Sequence, residues 1–181
     1  ESQLWPGMYQ NFAEVGFGQL TENGADTILT WNSEFFHDFC PTVLSETACG
    51  VGIFNLDDKY RALLRGALVD AANATCSTCK LGVDLNRANA SISIFSQGLL
   101  ANCTQAGHIL ANLTGKPAGQ VSTYEDLWRM TLVNYNGGAG CLTSAVQALQ
   151  QANLPVSWQN VAAFMPVSCQ ETLRYVNDIA K

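Results

Sequence analysis

Leu56-Asp57-Asp58-Lys59-Tyr60-Arg61-Ala62-Leu63-Leu64-Arg65-Gly66-Ala67-Leu68-Val69-Asp70-Ala71-Ala72-Asn73-Ala74 carries the clearest periodicity in the chain. Leu56, Tyr60, Leu63, Leu64, Ala67 and Leu68 recur at the spacing of one helix face, not at the alternation of a strand. Asp57 and Asp58 stand at its N-terminal end, where the helix dipole favours negative charge. Upstream, residues 24–39 place Ile28, Trp31, Phe35 and Phe39 on one apolar face and read as a single helix. Downstream, 83–114, 123–135, 141–152 and 170–180 read as helices too, with Ser122 or Thr123 as a cap ahead of Glu125-Asp126. Strong strand alternation is missing, so the predicted fold class is all-α. Gly and Pro clusters at 50–52, 115–119, 137–140 and 154–157 read as loops, none long enough to link domains.

The chain of 181 residues is long enough for one domain with a real core. Hydrophobic residues make up 48% and charged ones 13%, which excludes a disordered chain. The net charge of -6 argues against a basic groove for nucleic acid, so ligand recognition has to rest on local hydrogen bonds and stacking. No apolar run reaches the roughly 20 residues of a membrane helix.

Seven cysteines (40, 49, 76, 79, 103, 141 and 169) favour disulfides in an extracytoplasmic compartment, periplasmic, cell-wall or secreted; the odd number leaves one free or paired outside the chain. Cys76-Ser-Thr-Cys79 is half of a zinc motif, but no second such pair exists and His37 and His108 are isolated, so no metal site and no cofactor is predicted. The glycosylation triplets at Asn73, Asn89, Asn102 and Asn112 matter only in a eukaryotic secretory route.

Four short motifs carry the functional reading. Glu1-Ser2 with Trp5-Pro6 comes first, then Gly16-Phe17-Gly18-Gln19. Asn134-Tyr135-Asn136-Gly137-Gly138-Ala139-Gly140 follows far downstream, and Glu171-Thr172-Leu173-Arg174-Tyr175-Val176 closes the series. Their order and spacing resemble the SLT-type lytic transglycosylases, related to goose-type lysozyme, which cleave the glycan strands of bacterial peptidoglycan. The resemblance implies a single lysozyme-like domain over 1–181, with the segment of about 40–120 as a helical, cysteine-rich insertion stapled to the core. It implies a monomer acting on peptidoglycan strands between N-acetylmuramic acid and N-acetylglucosamine. Since the chain begins at Glu1 and the family's glutamate ends a helix, a longer natural protein carrying that helix is expected.

By that resemblance Glu1 is the one catalytic acid. Such a group must stay protonated near neutral pH, which partial desolvation in a cleft achieves. The family lacks a second catalytic carboxylate: the substrate's N-acetyl group stabilises the anomeric carbon. The glutamate then removes the C6 hydroxyl proton, closing a 1,6-anhydro ring without water. Gln19 hydrogen-bonds the sugar, Gly16 and Gly18 let the backbone approach it, and Tyr135 and Asn136 line the cleft from a glycine-rich turn. Tyr175 points its hydroxyl at the catalytic glutamate, with core packing as the plainer role. Glu171 and Arg174 read as a surface pair.

The chain departs from the family pattern in three places. Gln10 stands where many members carry a serine that assists the N-acetyl group. Phe17-Gly18 replaces the usual Leu-Met. Ala13-Glu14 replaces Gly-Ala, so Glu14 is a possible second carboxylate; at about 6.5–9.5 Å from Glu1 it would activate water and give an inverting, lysozyme- or chitinase-like hydrolase. A non-catalytic glycan-binding module is the third reading. Trp5, Trp31, Trp128 and Trp158 are candidates for sugar stacking, most of them expected in the core.

Overall fold

The computed structural model describes residues 6–9 and 13–180, and it is mostly helical, as the all-α reading requires. The chain divides into two compact units, 1–101 and 102–181, each with its own apolar cluster.

The first unit opens with a short hairpin, β1 (Met8–Tyr9) against β2 (Glu14–Val15), with Tyr9 opposite Glu14. Two-residue strands are too short to leave an alternation in the sequence. Helix α1 (Glu22–Trp31) starts where the Thr21 hydroxyl accepts from the Gly24 amide at 2.9 Å. The expected single helix over 24–39 is in fact two, because Asn32 leaves helical geometry and its side chain caps α2 (Ser33–Phe39), accepting from the Phe35 amide at 3.1 Å. Asparagine offers the backbone this alternative to an unbroken helix.

A short α3 (Glu46–Cys49) leads to α4 (Asp58–Ala72), whose N-terminus is capped by Asp57 accepting from the Lys59 amide at 2.7 Å. Helices α1 and α4 pack together. Ile28 and Leu29 meet Leu64 and Leu68 in the core, all at most 1% exposed. Burying each such side chain stabilises the fold by about 1.5–3 kcal/mol. The apolar face read from 56–74 is narrower than expected: Tyr60 and Leu63 lie at the surface.

Helix α5 (Leu85–Thr114) has 30 residues, and the division between the units falls inside it, after Ala101. Its buried stripe runs Ala88, Ser91, Ile94 and Ala101 in the first unit, then Asn102, Ala106 and Leu110 in the second, at the helical period. The second unit continues with α6 (Ala118–Val121), α7 (Tyr124–Gly137), α8 (Ala139–Gln151), α9 (Trp158–Ala163) and α10 (Gln170–Ile179). Thr123 is the cap of α7, its hydroxyl accepting from the Asp126 amide at 3.1 Å. Met130, Val133, Leu142, Val146, Leu149, Val161 and Val176 fill the core. Arg174 pairs with Asp178 at 4.0 Å, not with the expected Glu171.

Three disulfides form, Cys40–Cys49, Cys76–Cys79 and Cys141–Cys169, and Cys103 is free. Cys76 and Cys79 are thus consumed by each other. The disulfides within 40–120 close loops of nine and three residues, so they do not staple that segment to the rest. Three disulfides point to an extracytoplasmic protein. No helix among the described residues is long and apolar enough to cross a membrane.

Candidate functional site

Glu1 and Gln10, together with Trp5, lie outside the described residues. The second motif belongs to the first unit and forms a tight turn. Val15 and Leu20 bond each other through both backbone pairs, at 2.9 and 2.8 Å, and the Gln19 amide donates to the Gly16 carbonyl at 3.0 Å. Gly16 has φ +74°, and a Cβ there would meet the Ala72 carbonyl and the Ser91 Oγ. At Gly18 a Cβ would sit 2.6 Å from the Phe95 ring. Both glycines therefore have a packing reason: the turn is pressed onto the end of α4 and onto α5. Buried Ser91 adds a hydrogen bond, its Oγ accepting from the Phe17 amide at 3.3 Å.

Gln19 holds a left-handed φ of +50°. A side-chain-bearing residue adopts that conformation at some cost, and such strain collects at turns and functional sites. The half-buried Gln19 side chain is thus carried by a turn with little freedom to adjust. Glu14 is half-exposed at the end of the hairpin, two residues before this turn.

The third and fourth motifs belong to the second unit, and there they are packed against each other. The expected glycine-rich turn at Tyr135 and Asn136 is corrected: α7 continues through both and through Gly137. Gly137 is a contact point, where a Cβ would lie 2.6 Å from Thr172 Oγ1 and 3.2 Å from Cys141 Sγ. Only Gly138, with φ +81°, turns the chain, ending α7 and starting α8. Gly140 is already inside α8. Thr172 is buried on α10, and Cys141–Cys169 ties the start of α8 to the turn preceding α10. Asn136 is exposed, while Tyr135 is half-buried; Tyr175 is half-buried and packs on the core.

Sequence reasoning missed Asn134, which is 2% exposed. Its Nδ2 lies 2.8 Å from Asn102 Oδ1 and 2.8 Å from Gln105 Oε1, clamping the last turns of α7 to α5 within the second unit. Its own Oδ1 is buried without a partner, a cost of about 1–3 kcal/mol for a buried acceptor. Nothing local in the sequence announces these partners, 29 and 32 positions away.

The tryptophans divide as chemistry requires. Trp31 and Trp158 pack on the two cores, while Trp128 meets the exposed Tyr124 edge-to-face at 6.2 Å. No group of three His, Cys, Asp or Glu among the described residues is arranged to hold a metal. Gln19, Gly18 and Glu14 thus belong to one unit, and Tyr135, Asn136 and Tyr175 to the other. No protein-family profile matches the sequence, and neither a curated protein nor a solved structure matches it significantly.

Proposed function

We propose that the protein is a peptidoglycan lytic transglycosylase with a lysozyme-like fold, acting outside the cytoplasm. The observation that carries this reading is the packing of Gly137 against Thr172, which joins two motifs 35 residues apart in the chain. Gln19 on its strained turn adds support, since the second motif is held by backbone geometry rather than left as a loose loop.

Glu1 protonates the glycosidic oxygen as its bond to the muramic acid anomeric carbon breaks. The neighbouring N-acetyl oxygen takes up the positive charge at that carbon. Glu1, now a carboxylate, removes the C6 hydroxyl proton, and the C6 oxygen closes onto the anomeric carbon, releasing the N-acetyl group. The proton count closes without water. Gln19 supplies an amide that both donates to and accepts from the sugar hydroxyls.

The test is release of soluble muropeptides from purified peptidoglycan by the protein, preceded by whatever upstream residues its gene encodes, and by its Glu1→Gln variant. Release by the parent with a loss of at least about a hundredfold in the variant supports the acid role. Equal release by both would remove Glu1 from the mechanism, and no release by either leaves a glycan-binding module.

A further inference from the structure

In the first unit, α1, the turn at Ile53–Asn55 and α4 line an open pocket of about 470 Å³ that no motif touches. That volume is in the range of small-ligand sites. Asp26 and Thr30 face it from successive turns of α1; Asp58, Arg61 and Arg65 face it from α4; Phe54 stands at its edge, 74% exposed. Arg61 meets Asp58 at 2.7 Å, and Arg65 meets Asp26 at 2.9 Å. The four lining charges cancel and Glu22 beside Arg65 adds one negative charge, while Ile53, Phe54 and Ala62 make the rest of the lining apolar, so the pocket does not attract anions.

We infer that this pocket binds a neutral saccharide, as a second glycan site separate from the cleavage chemistry. An arginine–carboxylate pair sets N–H donors beside carboxylate acceptors. A hydroxyl both donates and accepts, so neighbouring sugar hydroxyls can bridge such a pair without breaking it. A simple anion would have to displace Asp26 and Glu22, which hold Arg65 at 2.9 and 3.5 Å. The exposed Phe54 ring presents its negative face to the C–H side of a pyranose, whose other edge carries the hydroxyls. An apolar platform beside paired donors and acceptors suits a sugar. A lone hydrophobic docking patch would lack the pairs. The inference stands on this lining alone and does not need the proposed reaction.

The experiment is an amide NMR titration of the labelled protein with N,N′-diacetylchitobiose and with cellobiose, both neutral disaccharides, and with the zwitterion alanyl-alanine as control. Saturable shifts at Thr30, Phe54 and Arg61 are expected with at least one disaccharide, with a dissociation constant on the order of millimolar. Phe54→Ala and Arg61→Gln, both at exposed or half-exposed positions, should each weaken binding about tenfold while leaving the rest of the spectrum in place. Glu1→Gln should bind as the parent does, so failure of the cleavage reading and failure of this one are separate results. Absence of shifts with either disaccharide, shifts with alanyl-alanine alone, or unweakened binding by Phe54→Ala would overturn the assignment.

Discussion

Alanine placed at Gly137 and at Gly66 should move stability in opposite directions, and the structure supplies both signs. Each glycine lies in a helix, α7 and α4 respectively. At Gly66 a Cβ meets nothing within 4 Å, so only the backbone effect operates and Gly66→Ala stabilises by about 0.5–1 kcal/mol. At Gly137 the Cβ would lie 2.6 Å from Thr172 Oγ1 and 3.2 Å from both Thr172 Cγ2 and Cys141 Sγ. Thr172 is buried, and the neighbouring disulfide limits how far α10 and α8 move apart. Overpacking of this kind costs about 1–3 kcal/mol, against a helix gain of less than about 1 kcal/mol at a terminal position. Gly137→Ala therefore destabilises by about 1–2 kcal/mol, and thermal melts of the two variants should differ on the order of 5–10 °C for a chain of this length. Adding Thr172→Ala to Gly137→Ala removes the obstructing atoms and should recover at least half of the loss relative to Thr172→Ala alone. A Gly137→Ala protein that melts higher than the parent, as Gly66→Ala should, would refute the close packing of the third and fourth motifs.

Other expectations follow from single contacts. Breaking Cys141–Cys169, which spans 28 positions, should cost about 3–4 kcal/mol in denaturant unfolding, and breaking Cys40–Cys49, which spans nine, about one less. Equal costs would mean that loop entropy does not govern them. Asn134→Ala leaves Asn102 Oδ1 and Gln105 Oε1 without their shared donor but also removes a partnerless buried oxygen. The net loss in denaturant unfolding should be about 1–2 kcal/mol, and a neutral result would contradict the cluster. The hydrogen bond from Arg65 to Asp26 and their charge attraction, with Glu22 adding to it, raise the Arg65 pKa. The sign follows: a raised base contributes fully below its ordinary range and loses that contribution only as pH climbs past the folded value. The stability cost of Asp26→Asn, small for so exposed a pair, should thus stay constant from neutral to moderately alkaline pH, and a decline across that interval in chemical melts would refute it.

The helices were largely legible because their apolar residues repeat at the helical period over many turns, as in 58–72. What escaped were features decided by partners distant in sequence or by short elements. Asn32 splits a periodic run because its side chain caps the next helix, and the periodicity of Ile28, Trp31 and Phe35 masks that break. The hairpin at 8–15 has too few residues per strand to alternate visibly. Tyr135, Asn136 and Gly137 read as a turn because glycines follow, yet only Gly138 leaves helical geometry, and Gly137 is small because Thr172 of α10 packs against it. For the four motifs only their order along the chain was readable; the contact of Gly137 with Thr172 was not, because it depends on how α10 packs on α7. Asn134 and the Arg61 and Arg65 lining were not legible, since their significance depends on Asn102 and Gln105 in one case and Asp26 in the other.

The mass of the glycan ends that the protein releases from peptidoglycan distinguishes ring closure from hydrolysis. Muropeptides ending in 1,6-anhydro-N-acetylmuramic acid, one water lighter than hydrolysed ends and missing from the Glu1→Gln digest, are the predicted result. Fully hydrated reducing ends would contradict it, replacing intramolecular ring closure with attack by water and shifting attention to Glu14.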